Sequence, residues 1–269
     1  MRKHLIENGG MMRQQSRVQI TVRGKVVGGS WPLICLPLVA KEKAALCHEA
    51  CELAALRPDM VEWRVDAFSG AVDLAQCWSV LHELRTIIGE IPLMFTCRID
   101  REGGMQHMTQ ESRLALITRA MESGQVDLVD IELCNEREFI EEIIGRAKTL
   151  GAKLILSYHN FQETPAGEFL AEKMTEAEKM GADIAKIAVM PKDYHDVLTL
   201  LAVTNTARNG QVGIPMITIS MGEAGKISRL AGGLFGSDIT FGAGREASAP
   251  GQMAFQDLKK GMALLYGKE

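Results

Sequence analysis

Lys186 sits in the stretch ADIAKIAVMP (182–191), flanked by Ile184, Ala185, Ile187, Ala188, Val189 and Met190. Strand side chains alternate between two faces, so Ile184 and Ala188 share the face of Lys186 while Ala185 and Ile187 line the other. An ammonium in so apolar a setting loses its hydration, and burial favours the neutral amine, which is a nucleophile. The bland alternative is a lysine that snorkels to water at a strand end. A second reactive group, His159, closes the apolar run KLILSYH (153–159). An amine and an imidazole at the same end of neighbouring strands form the pair that covalent amine catalysis with acid–base help requires. Other polar residues also close apolar runs: Glu62, Arg64 and Asp66 in EWRVD, and Arg98 in FTCR, with Glu102 in the EGG that follows. Taken singly, these have ordinary readings. Glu62 and Arg64 suit a buried ion pair filling a barrel, Arg98 and Glu102 solvated loop charges, and His159 a hydrogen-bonded core imidazole.

Such groups need strands to aim them. Short apolar runs recur at 33–38, 60–65, 91–98, 126–133, 153–159, 183–190, 214–221 and 238–243. Between them lie segments with helical spacing, such as KEKAALCHEACELAALRP, ESRLALITRAMESG, EREFIEEIIGRAKTLG and PAGEFLAEKMTEAEKMG, several of which stop at Gly or Pro. Alternation of this kind demands parallel strands covered by helices, and eight units in this length predict a closed (β/α)8 TIM barrel. The site is then expected at the C-terminal ends of the strands. Ahead of the barrel, VQITVRGKVVGG (18–29) alternates around RGK and predicts a β-hairpin. Residues 1–15 read as a flexible tail, and 16–269, free of linkers, as a single catalytic domain.

Composition narrows the function. The chain has 269 residues, 46% hydrophobic and 24% charged, with a formal net charge of −4. That balance gives no basic footprint for nucleic acid or an anionic membrane, and no apolar run reaches bilayer length. Six cysteines without a CxxC pair suit reduced thiols and a cytoplasmic setting, and the polar opening lacks the apolar core of a secretory signal. GAGREA (242–247) fits a loose dinucleotide fingerprint, but only about a helix of chain follows it. AGKIS lacks the first glycine of a phosphate loop and has Ile227 where Ser or Thr would bind magnesium. Cys47 and Cys51 share one helical face beside His48, as small apolar residues would, and no metal site is expected.

Taken together, EWRVD, FTCR with EGG, SYHNF, DIAKIAVMP, ISRLAG, FGS and SAPGQ occur in an order and spacing that resembles the type I 3-dehydroquinate dehydratases, from about Pro32 to the C-terminus. The resemblance implies a TIM barrel, commonly a homodimer, that converts 3-dehydroquinate to 3-dehydroshikimate in the shikimate pathway of aromatic amino-acid biosynthesis, without metal or cofactor. It implies Lys186 as the imine-forming amine, His159 as the acid and base, and Glu102 as the carboxylate that tunes the histidine. Glu62, Arg64 and Arg98 would organise the site and hold substrate hydroxyls. Arg229 would meet the substrate carboxylate, and Ser248 and Gln252 would add hydrogen bonds. Pro37 departs from members with serine there, and the tail lies outside the match. Two other readings remain open: an imine-forming aldolase of a sugar phosphate, and a silent metabolite-binding barrel. MGEAGKIS (221–228) has the glycines and polarity expected of a lid.

Overall fold

Period-two alternation decides which side chains fill this barrel and which meet its helices. The computed structural model describes residues 13–245 and 247–267. Eight parallel strands run in the order β10-β3-β4-β5-β6-β7-β8-β9. They are β3 (Leu33–Leu38), β4 (Met60–Arg64), β5 (Leu93–Thr96), β6 (Leu128–Glu132), β7 (Lys153–Asn160), β8 (Ile184–Val189), β9 (Met216–Ser220) and β10 (Ile239–Phe241). Each lies within, or overlaps to one residue, an apolar run named above. Seven of them are buried along their whole length, as a sheet covered on both faces requires.

The covering helices are α1 (Lys43–Leu56), α2 (Leu74–Ile88), α3 (Gln110–Glu122), α4 (Arg137–Leu150), α5 (Gly167–Met180), α6 (Tyr194–Thr206), α7 (Lys226–Phe235) and α8 (Phe255–Tyr266). Side-chain oxygens of Asp73, Thr109 and Asp193 cap α2, α3 and α6, satisfying first-turn N–H groups. Gly151 and Gly181 end α4 and α5 in the left-handed conformation, the stop signal read from the sequence.

Two apolar clusters result. The outer one joins strands to helices and includes Leu36, Trp63, Phe95, Ala185 and Ile187. The inner one fills the barrel with Met60, Met94, Leu128, Ile155, Ile184 and Ile217. Two residues further along the inward positions of β4, β6, β7 and β8 stand Glu62, Asp130, Ser157 and Lys186, so a polar layer rests directly on an apolar floor. Below that floor, the hairpin of β1 (Ile20–Val22) and β2 (Lys25–Val27) adds Ile20, Val22 and Val27 to the same cluster. Its two-residue turn puts Arg23 at φ 42° and Gly24 at φ 76°. Arg23 bridges Asp127 and Glu90, and Lys25 bridges Asp59, which seats the hairpin on the rim.

Between β9 and β10 the barrel closes through side chains as well as backbone. Asp238 N–H donates to Met216 O, the Asp238 carboxylate accepts from Met216 N–H, and Ser237 Oγ accepts from Thr218 N–H. Arg208 and Arg13 both pair with Asp238. Residues 1–12 of the expected tail lie outside the described residues. Arg13, however, is buried by its partnership with Asp238, so packed chain begins before residue 16. The stretch 221–228 is also only in part a loop. Its last residues form the first turn of α7, where Ser228 Oγ accepts from Ser220 N–H and donates to Gly225 O.

Candidate active site

The upper barrel holds a continuous set of buried charges, and β4 begins it. Glu62 accepts from Thr96 Oγ1 at 2.8 Å. Arg64 grips Asp66 with Nε and Nη2 at 3.0 and 2.7 Å, a bidentate pair, and donates to Gly103 O at 3.0 Å. Asp66 also accepts the backbone N–H groups of Arg98 and Met105, both at 3.1 Å. Gln106 donates to the carbonyls of Asp66 and Phe68. These bonds pin the loop that carries Glu102.

Glu102 is buried, and its Oε2 accepts from His159 N–H at 2.9 Å and from His159 Nδ1 at 3.0 Å. A carboxylate only accepts, so Nδ1 carries the imidazole proton and Nε2 is left with a lone pair. Burial pushes the Glu102 pKa up, against the opposing pull of Cys134 and Arg98. Burial, then the positive charges of Arg98 and Lys186, push the His159 pKa well below its ordinary range, so the ring is neutral at neutral pH.

Lys186 is 5% exposed, and Phe241 presents its ring 4.7 Å from Nζ. The expectation of an amine alone among apolar groups needs correction. Nζ lies 2.7 Å from Oδ2 of Asp130, a fully buried carboxylate from β6 that offsets the burial of the ammonium. Asp130 accepts also from Ser157 Oγ at 2.6 Å and pairs with Arg98 Nη2 at 2.9 Å. Burial alone would raise its pKa, but Arg98 and Lys186 hold it far below the usual carboxylate range. Arg98 reaches Glu132 at 2.7 Å as well, and Arg113 and Asn135 take the other oxygen of Glu132.

Across the cavity, Arg229 of α7 is 2% exposed yet has no carboxylate partner among the described residues. It donates to Phe241 O at 3.3 Å and to Pro250 O at 2.9 Å, and its Nε has no partner among the described residues. Burial pushes its pKa down to about 10. Ser248 and Gln252 bond one another through Ser248 N–H to Gln252 Oε1 at 2.8 Å and Gln252 Nε2 to Ser248 Oγ at 3.0 Å. Glu62, Arg64, Arg98, Glu102, His159, Lys186, Arg229, Ser248 and Gln252, the nine residues picked out from the sequence, all line one cavity. A larger depression of about 870 Å³ lies on the outer face between α4 and α5, lined in part by solvated side chains such as Glu141, Glu172 and Lys179, and contains none of the nine residues above.

Sequence reasoning missed Asp130, Glu132, Ser157, Thr96 and Arg113. A signal for two of them was present: Asp130 and Glu132 stand at period two inside the apolar run LVDIE, the same pattern that singled out Glu62 and Arg64. Among the described residues, no group of three or more His, Cys, Asp or Glu side chains is placed to hold a metal ion.

The family model for type I 3-dehydroquinase matches residues 34–269. A 3-dehydroquinate dehydratase of Geobacillus thermodenitrificans is 44% identical over 93% of this chain and 97% of its own length. One of Listeria monocytogenes is 44% identical over 92% and 98%. The crystal structure of 3-dehydroquinate dehydratase from Geobacillus kaustophilus superposes with a TM-score of 0.92 at 41% identity, covering 96% of this chain and all of the other. A type I enzyme from Clostridium difficile, solved with covalently modified comenic acid, gives 0.90 at 38% identity, covering 94% and 99%. A family match over residues 34–269, and relatives this similar over almost their whole length, place the chain in the type I 3-dehydroquinase family.

Proposed function

We propose that this chain is a hydro-lyase that converts 3-dehydroquinate to 3-dehydroshikimate through an imine on Lys186, with His159 as both base and acid. The observation that carries the reading is the convergence on one cavity of a buried amine, a neutral imidazole and a guanidinium that has no carboxylate partner among the described residues. Arg229 takes the substrate carboxylate, for which its fork is suited. Glu62, Arg64 and Arg98 face the hydroxyl-bearing part of the ring, and Ser248 and Gln252 exchange their mutual bonds for bonds to the ligand. The Lys186 nitrogen bonds to the ketone carbon, and the resulting iminium draws electrons from the adjacent C2–H bond.

His159 Nε2 then removes the C2 proton, its Nδ1–H held by Glu102 so that the lone pair faces the cavity. The imidazolium so formed is matched by the Glu102 carboxylate. It returns the proton to the departing C1 hydroxyl as the C1–C2 double bond forms, and water releases the product from Lys186. The reaction belongs to the shikimate pathway. Six free thiols support a reducing, cytoplasmic setting, and the resemblance supports a homodimer, which sedimentation would test. Among the described residues no helix is long and apolar enough to cross a membrane.

Assay against 3-dehydroquinate and against phosphorylated sugars tests the reading. Formation of the conjugated enone from 3-dehydroquinate alone is expected. Cleavage of a sugar phosphate, with no enone from 3-dehydroquinate, would instead make the chain an aldolase.

A further inference from the structure

We infer that Asp130 is a catalytic group: its carboxylate is the fixed counter-ion of the Lys186 nitrogen, as an ammonium before imine formation and as an iminium after it. The inference rests on the imine chemistry proposed above. Its first support is placement. Oδ2 of Asp130 lies 2.7 Å from Nζ, and both side chains are buried. Three adjacent strands fix this approach. Asp130 comes from β6, Lys186 from β8, and Ser157 of β7, in register with Lys186, bonds the other Asp130 oxygen at 2.6 Å. Arg98 holds the same carboxylate at 2.9 Å, so Asp130 stays charged and keeps its orientation, with Oδ2 shared between Arg98 and Lys186 and Oδ1 held by Ser157.

The second support is the balance of the reaction. An ammonium and a ketone give a protonated imine and water, so the nitrogen carries one positive charge at the start and at the end. Of its three hydrogens, two leave with the ketone oxygen. His159, neutral and with Nε2 unprotonated, can carry them one at a time. It takes a proton from the ammonium, and the freed lone pair attacks the carbonyl carbon. The C=O π pair moves to oxygen, which takes the proton from the imidazolium. A second N–H proton follows by the same route, the hydroxyl leaves as water, and the nitrogen lone pair closes the C=N bond. No proton enters from solvent, and the histidine ends neutral, ready for the C2 proton. A preorganised carboxylate that suits the first cation thus suits the second with no reorganisation between them.

Asp130→Asn keeps the shape and removes the charge. With 3-dehydroquinate present, borohydride should label Lys186 of the unmodified enzyme. In the variant, labelling should be about tenfold or more slower and kcat at least about a hundredfold lower, the scale for removing one preorganised electrostatic partner. Binding of the analogue with a hydroxyl in place of the ketone should change by less than about fivefold, because the Arg229 side of the site is intact. Turnover and labelling within about threefold of the unmodified enzyme would overturn the inference, being too small a change for a buried charge partner. Should the asparagine variant fail to bind the analogue, Asp130→Glu decides: turnover above the asparagine variant supports the counter-ion role, and equal inactivity overturns it. Absence of label on Lys186 in the unmodified enzyme would remove the imine chemistry and this inference together, a failure recognisable because it needs no variant.

Discussion

On the β4 to β8 side of the cavity, the buried cations face carboxylates: Arg64 has Asp66, Arg98 has Asp130 and Glu132, Arg113 has Glu132, and Lys186 has Asp130. On the α7 side, Arg229 is equally buried but, among the described residues, meets only two backbone carbonyls. The difference assigns labour within one pocket. A saturated network is costly to break, because removing one partner leaves a buried charge uncompensated, so it fixes geometry. A guanidinium with unused donors has most to gain from an incoming anion, so it selects and orients the ligand.

The largest effect should come from breaking the saturated side away from the cavity itself. Arg113→Ala leaves Glu132 buried with part of its compensation gone, and should lower stability by about 3–5 kcal/mol in urea unfolding. A loss below about 1 kcal/mol would mean that Arg98 and Asn135 suffice and the network is not saturated in the sense argued. His159→Ala should reduce kcat by about a hundredfold or more while still permitting imine formation, as acid–base help is typically of that size. Turnover near that of the unmodified enzyme would remove the imidazole from the mechanism. Arg229→Lys sharpens the other half of the comparison. It keeps the charge and loses the fork, so KM should rise by about 1–3 kcal/mol in binding terms, with a smaller change in stability. An unchanged KM would place the substrate carboxylate elsewhere.

The mildest perturbation is pH. Because burial, Arg98 and Lys186 depress the His159 pKa, kcat/KM should show no loss assignable to this ring as pH falls through the ordinary imidazole value of about 6.5, and should decline only below it. The same depression acts on folding. The stability it contributes is present above the unfolded pKa and is lost as pH falls toward the folded one, since the unfolded imidazole takes a proton that the buried ring refuses. A kcat/KM limb at or above 6.5 that disappears in His159→Ala would contradict a buried neutral histidine.

Much of this arrangement was legible in the chain. Eight apolar runs gave the strands because a sheet covered on both faces leaves little room for solvated residues, and a polar residue that ends such a run must lie near the mouth of the barrel. That logic singled out Glu62, Arg64, Arg98 and His159, whereas Arg229, Ser248 and Gln252 came only from the family resemblance. It failed on partners. Lys186 is alone in its own strand, and the carboxylate that meets it stands 56 residues earlier in the chain. Which strands bring inward residues to the same level depends on barrel stagger, and alternation within one strand carries no record of it. Arg113 was harder still, since it reaches Glu132 from helix α3, where a helical arginine ordinarily reads as solvated. Arg13 was read as tail because its burial depends on Asp238, 225 residues away.

The claim that Lys186 is the covalent centre has a direct test. The enzyme is treated with borohydride during turnover of 3-dehydroquinate, digested, and its peptides weighed. Substrate-derived mass should appear on the peptide at Lys186 and vanish in Lys186→Met. Mass on a different lysine, or none while turnover proceeds, would contradict the account.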